Sequence, residues 1–289
     1  MSSLRHFCSG GISMPAPPKA KKFLRLENIN ELSLNTVSSN WKEIFMAVPN
    51  VKVLDAVINL DPNGLNNFLD SLICLADLQK LRIHLAVPPD VRFFQRLSAP
   101  LWDGLPTNLK SLTLDGTYLL WTEMTMLSNL PKLEVLKLKY YAFQGSNWNL
   151  DEGGFKNLKL LAIYMTNLVH WYTASDSLPS LEYLVLSHCY KLKEIPTEIG
   201  DIPTLKLIEL HYCSEAAVTS AEEILDEQQS FGNEVLAVRA FYTGVHFFEM
   251  KGEEDEVAIA SDYGPDMKYN HMFMGVSENT SCSNSSSFV

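Results

Sequence analysis

No run of about eighteen apolar residues occurs in this 289-residue chain, which excludes a membrane-spanning helix. The opening, MSSLRHFCSGGISMPAPPK, has no apolar stretch of the kind a secretion signal needs, so the chain reads as cytoplasmic. The five cysteines, Cys8, Cys74, Cys189, Cys213 and Cys282, are odd in number and form no CxxC pair or other metal-ligand spacing, which favours a reducing compartment and no metal site. The N-x-S/T sequons at Asn279 and Asn284 are accordingly read as fortuitous. No phosphate-binding G-x-x-x-x-G-K-[ST] is present: the nearest segment, Gly104 to Ser111, has Leu109 where the second glycine must stand. Neither a G-x-S-x-G elbow nor an H-E-x-x-H helix occurs, so no catalytic or cofactor-binding residue is assigned and the chain is read as a non-enzyme. A long Lys/Arg stripe is also missing, which argues against nucleic acid as a partner.

The net charge of -11 belongs to one end of the chain. Residues 1 to 213 carry 20 acidic and 20 basic side chains, whereas residues 214 to 289 carry 14 acidic and 3 basic. The hydrophobic fraction of 46% is ample for a core, and it is distributed periodically. LxxLxL or a close variant occurs eight times, beginning at Ile29, Val51, Leu78, Leu109, Leu133, Leu158, Leu181 and Leu205, with steps of 22, 27, 31, 24, 25, 23 and 24. This is the period of a leucine-rich repeat. Within a unit, strand alternation sends Leu136 and Leu138 to one face and Val135, Lys137 and Lys139 to the other. One unit cannot cover its own leucines, so the units must stack. The predicted fold is α/β: a curved leucine-rich-repeat solenoid with short parallel strands on the concave face and helices and loops on the convex face. Convex helices are expected where Trp41, Ile44, Phe45 and Val48, and again Leu65, Phe68, Leu69, Leu72 and Ile73, recur at helical spacing. Lys191 to Gly200, with its proline and Ile-Gly pair, favours an extended or turning path.

Residues 192 to 213, LKEIPTEIGDIPTLKLIELHYC, together with LPKLEVLKL (130 to 138), LPSLEYLVLSHCYKLKEIP (178 to 196) and the opening Leu4-Arg5-His6, resemble the repeats of plant intracellular NLR immune receptors. The coiled-coil class that includes the late-blight-resistance proteins of nightshades is the most similar. The resemblance implies a role in plant defence: recognition of a pathogen effector or guarded host protein, and regulation of a nucleotide-binding module that this chain does not contain. Its expected partner is therefore a protein, either of those two or the NLR nucleotide-binding domain itself. A leucine-rich-repeat substrate adaptor of a ubiquitin ligase, or a truncated decoy, are the alternatives. The chain reads as starting inside a repeat, without the polar cap a solenoid end needs, and so as a fragment or truncated product.

The organisation expected is a partial repeat or loop over 1–25, a solenoid of about eight repeats over 26–213, a C-terminal capping helix over 214–231, and an acidic, Ser-rich, mostly disordered tail over 232–289. The cap rests on the box Ser220-Ala-Glu-Glu223, which predicts a helix over about 219–230. In the tail, Val235 to Phe248 is apolar enough for a stray strand or hairpin. Cys189 and Cys213 occupy the slot after the strand where the repeat places Asn or Cys, and are expected to satisfy loop backbone groups rather than to join His188 and His211 at a metal. The candidate protein-binding positions are the outward ones: Arg82, His84, Asp115, Lys137, Lys139, Tyr164, Tyr183 and His211, since aromatic and charged side chains are the usual interface anchors. Inward and outward assignments are separable by mutation. Leu136→Ala is expected to cost about 2 to 5 kcal/mol through a core cavity, and Lys137→Ala close to nothing, in urea melts.

Overall fold

Each apolar repeat becomes a strand because its leucines are buried only when the next repeat lies flush against it. A computed structural model describes residues 5–9, 25–35, 40–59, 64–86 and 104–241. All belong to one compact unit, Met1–Val245. Along the chain run β1 (His6–Ser9), β2 (Glu31–Asn35), α1 (Trp41–Ala47), β3 (Val53–Asn59), α2 (Gly64–Ser71), β4 (Lys80–Ala86), β5 (Ser111–Asp115), β6 (Leu119–Leu120), α3 (Met124–Ser128), β7 (Val135–Lys139), β8 (Phe143–Gln144) and β9 (Asn147–Asn149). They are followed by β10 (Leu160–Tyr164), β11 (His170–Tyr172), β12 (Tyr183–Ser187), β13 (Leu207–His211), α4 (Glu215–Ser230) and β14 (Ala237–Phe241). Ten of the strands form one parallel sheet in the order β1-β2-β3-β4-β5-β7-β10-β12-β13-β14. Two small parallel pairs, β6 with β8 and β9 with β11, lie outside it.

Register is uniform. Leu54, Leu81, Leu112, Leu136, Leu161, Leu184 and Ile208 are successive partners in one row, and none is more than 1% exposed. Each contributes roughly 1.5 to 3 kcal/mol through burial. This is the α/β leucine-rich-repeat solenoid that the sequence period predicts.

Both ends of the strands are tied by side chains as well as by the sheet. Ahead of the strands, Asn50, Asn108 and Asn157 donate from Nδ2 to the carbonyls of Glu27, Ala76 and Pro131 at 2.8, 2.9 and 2.7 Å. Ser180 continues the series to Lys156, and Thr204 reaches Pro179 at 3.5 Å as well as Leu181 at 2.8 Å. Behind the strands, Gly116, Tyr140, Met165, His188 and Tyr212 all take left-handed backbone, φ between 47 and 62°. That conformation is costly for four of the five, yet it lets each N–H donate to the next strand, as from Tyr140 to the Tyr164 carbonyl at 3.0 Å. After Gly116, Met165, His188 and Tyr212 the next residue fills an inner slot. There Thr117 Oγ1 donates to the Ala142 carbonyl at 2.7 Å, and the Cys189 and Cys213 thiols reach the carbonyls of Ile163 and Leu186. Tryptophans from successive repeats stack in their own column: Trp121 to Trp148 at 4.8 Å and Trp148 to Trp171 at 4.9 Å between ring centres.

Several expectations are corrected. Ile73 shares the helical spacing of α2 but is 72% exposed, because the chain tightens into a 3-10 turn at Leu72–Cys74 and swings it outward. The helix expected from 219 begins at Glu215, capped by Ser214, whose Oγ accepts from the Ala217 N–H at 3.2 Å. Ser220 lies inside the helix and instead accepts from the Ile195 N–H at 2.8 Å. Ala217 and Ala221 are fully buried, and these small side chains let the helix approach the solenoid closely. Nor does the helix end the ladder: the 214–231 segment leads into β14, which pairs in parallel with β13. The boundary drawn at 232 therefore cuts through a repeat. Most of the longest step between repeats (87–103), the acidic tail beyond Phe241, the two sequons and Cys282 lie outside the described residues.

The cap makes a checkable distinction. Ser214→Ala is expected to cost about 1 kcal/mol in chemical denaturation, whereas Glu223→Ala, at the exposed end of the supposed capping box, is expected to be neutral. Equal effects would restore the later helix start.

Candidate binding face

The face of the large sheet opposite the leucine row carries three columns of side chains, one from every second strand position. The register brings Arg82, Thr113, Lys137, Ala162, Val185 and Glu209 into one column. His84, Asp115, Lys139, Tyr164, Ser187 and His211 form a second, and Lys80, Ser111, Val135, Leu160, Tyr183 and Leu207 a third. All eight candidate residues lie in these columns. Outward position is not the same as exposure, however: Thr113 and Ala162 are only 4% and 1% exposed, small side chains overhung by longer neighbours.

The two halves of the face differ. Over β3 to β5 it is charged and internally paired: Arg82 Nη1 lies 3.1 Å from Asp55, and His84 Nδ1 lies 3.3 Å from Asp115. The hydrogen bond to Asp115 is the main reason the His84 pKa is raised above the usual imidazole value; burial works against it. On β7 the two lysines project side by side, and Lys139 Nζ sits 5.6 Å from the ring centre of Tyr164, within cation–π range. On β10 and β12 the columns turn more apolar, with Leu160, Ala162 and Val185 beside Tyr164 and Tyr183, before polar side chains return on β13 at Glu209 and His211. Burial raises the Tyr164 pKa and keeps its hydroxyl neutral. His211 is engaged on both sides, with Nε2 2.8 Å from Glu209 and its ring stacked on Phe241 at 4.8 Å.

One edge of the face is bounded by a row of alternating charge, in which Lys159 meets Glu134 at 3.1 Å and Lys206 meets Glu182 at 2.6 Å. The Lys206 hydrogen bond leads the causes that lower the Glu182 pKa. The other edge holds aromatic side chains the outward-position rule does not include. His188 stacks on Tyr212 at 4.8 Å and meets Tyr190 edge-on, and Tyr140 is 41% exposed. They follow the strands, and three of them occupy the left-handed turn positions. The signal in the sequence is a recurring aromatic or histidine one residue past the last strand position.

Ser187 Oγ and His188 Nδ1 are 2.8 Å apart, but Ser187 is 7% exposed and burial lowers the His188 pKa. The Cys189 thiol is held protonated, its pKa pushed well up by a hydrogen bond with Cys213 and by burial. Among the described residues no three His, Cys, Asp or Glu side chains are grouped to hold a metal ion. Among the same residues no helix is long and apolar enough to cross a membrane.

Parallel in-register strands, a buried leucine row and the buried Thr117, Thr166, Cys189 and Cys213 behind β5, β10, β12 and β13 together define a leucine-rich-repeat protein. Over 235 residues the chain is 32% identical to one late blight resistance protein homolog of Solanum demissum, and over 152 residues 38% identical to another from the same species, homolog R1B-23. It is a leucine-rich-repeat region related to those disease-resistance proteins. The matches take in 79% and 51% of this chain but 17% and 12% of the two relatives, so the chain spans a small part of their length. No protein-family model matches it. Among solved structures, that of a TLR13–ssRNA13 complex aligns with 75% of this chain and 33% of its own, at 14% identity and a TM-score of 0.45.

The His84–Asp115 pair gives the face a pH signature. A histidine whose folded pKa is raised stabilises the fold fully below its unfolded value of about 6.5, and the contribution is lost as pH rises through the folded pKa. Asp115→Asn is therefore expected to lower stability more at about pH 5.5 than at about pH 8.5, read by urea melts at both. A loss independent of pH would mean the pair is not formed.

Proposed function

We propose that this chain is the sensing part of an intracellular plant disease-resistance receptor, whose open sheet face binds a pathogen effector or a guarded host protein. Three features support the reading. The likeness to late blight resistance protein homologs runs through the repeats themselves. The face offers aromatic anchors, Tyr164 and Tyr183, beside the lysines of β7, the residue types that carry interface energy. Its apolar centre is bounded by a charged row, the usual anatomy of a protein contact. The observation that carries it is the group of apolar and aromatic side chains on β10 and β12, Leu160, Ala162, Tyr164, Tyr183 and Val185, on the side of the sheet opposite the leucine row.

In this reading the repeats also regulate a nucleotide-binding module belonging to the longer protein, and the receptor acts in the cytoplasm. Binding of the partner shifts that protein between two states and catalyses nothing. The test is transient expression in leaf tissue of the chain joined to such a module, together with candidate effectors. Effector-dependent cell death that disappears with Tyr164→Ala/Tyr183→Ala, at unchanged protein level, is the expected result. Absence of cell death with every effector, or death unaffected by the double substitution, overturns the reading.

A further inference from the structure

We infer that Cys189 and Cys213 form a reversible oxidation site, a thiol pair that hydrogen peroxide converts into a disulfide joining two consecutive repeats. The slot behind the strands holds hydroxyls at Thr117 and Thr166 and thiols in the next two repeats. Ser187 pairs with His211, and the Ser214 N–H donates to the Cys189 carbonyl at 3.3 Å, so the register of β12 and β13 continues as far as the two cysteines. Strands paired in this way lie about 4.8 Å apart. That falls within the Cα separation of about 4.4 to 6.8 Å that a disulfide spans. Both thiols also reach the same end of β12: Cys213 Sγ lies 3.5 Å from the Leu186 carbonyl, Cys189 Sγ 3.6 Å from that of Ser187, and the thiols hydrogen-bond to each other. Side-chain rotation then closes the bond without a change of fold. Cys8 has no such neighbour, since its register partner is Ser33, and Cys74 lies in the 3-10 turn after α2.

Cys213 is the attacking group. The hydrogen bond with Cys189 leads the causes that lower its pKa, with burial working against it, and Cys213 is the more exposed of the two, 5% against 1%. Its thiolate attacks one oxygen of the peroxide, the O–O bond breaks, and the departing hydroxide takes up the proton the thiol gave, forming water. The Cys189 thiol then attacks the sulfur of the Cys213 sulfenic acid. The S–S bond forms, the S–O bond breaks, and the Cys189 proton leaves with the hydroxyl as a second water. Two thiols and one peroxide thus give one disulfide and two waters. The bond acts on the end of the ladder, because Cys213 immediately precedes Ser214, which caps α4 and donates to the Leu192 carbonyl. Oxidation therefore fastens the start of α4 to the preceding repeat by a covalent link that a small dithiol reverses.

The test treats the full chain with hydrogen peroxide in native buffer, blocks the remaining thiols by alkylation and digests with trypsin without reduction. The two peptides concerned, 160–191 and 207–239, hold one cysteine each, so a link between them is unambiguous. The expected product is that linked pair, lighter than the two peptides together by about 2 Da for the hydrogens removed, and separated again by dithiothreitol. With Cys189→Ser, dimedone is expected to trap a sulfenic acid at Cys213, and with Cys213→Ser, Cys189 is expected to stay reduced. A hydroxyl suits this slot, as Thr117 shows, and thermal melts check that both variants are folded. Cys189 and Cys213 left as thiols where Cys8 and Cys74 are oxidised overturn the inference. So do separate sulfinic acids on the two, a preferred link from either to another cysteine, or trapping at Cys189 in place of Cys213.

Discussion

The structure depends on one constraint, that neighbouring repeats pair in parallel with no offset. An offset of a single residue would turn every leucine of a repeat to the wrong side, because strand side chains alternate with a period of two. The asparagine, serine and threonine bonds ahead of the strands and the threonine and cysteine slot behind them serve this constraint. They satisfy backbone carbonyls that a solenoid leaves unpaired where the chain turns, and each bonds to a unit other than its own, so they also pin the register. The left-handed residues do the same with the main chain. Tyrosine, methionine and histidine tolerate that conformation because the hydrogen bond gained extends the ladder by one residue in each repeat.

Equivalence of position is what turns the open face into a surface with designable chemistry. The leucine row cannot vary without losing the core, but the three outward columns are free of that requirement and differ from strand to strand. In this chain the face changes from self-paired charges at β3 to β5, through lysines at β7, to aliphatic and aromatic groups at β10 and β12, with a paired Glu209 and His211 beyond them on β13. A protein contact needs both kinds of group, polar ones for orientation and apolar ones for energy.

Much of the solenoid was legible because its signal is repeated: eight leucine patterns point to eight strands, β2 to β5, β7, β10, β12 and β13. The strand at Ala237–Phe241 lies within the stretch expected to hold a stray strand or hairpin, but its inward positions are Val238 and Ala240, too small to register as a leucine pattern, and pairing with β13 makes it a further rung. The helix start was misplaced because two serines compete as caps and sequence cannot weigh them. Packing decides, since Ala217 and Ala221 must lie against the solenoid while Ser220 is needed by the Ile195 N–H. The candidate face was legible as a set of outward residues but not as a site. That Arg82 is occupied by Asp55, His84 by Asp115 and His211 by Glu209 depends on side-chain rotamers, which period and alternation do not encode.

The tryptophan column has a consequence of another kind. Trp148 and Trp171 lie nearly parallel, 9° apart, and Trp121 is within 22° of Trp148, at centre separations close to those of stacked bases. Indole transitions held so closely couple as excitons, so these three rings give the repeats an optical signature that no single tryptophan has. Its strength measures how tightly consecutive turns of the solenoid are wound, which makes the chain a gauge of its own extension.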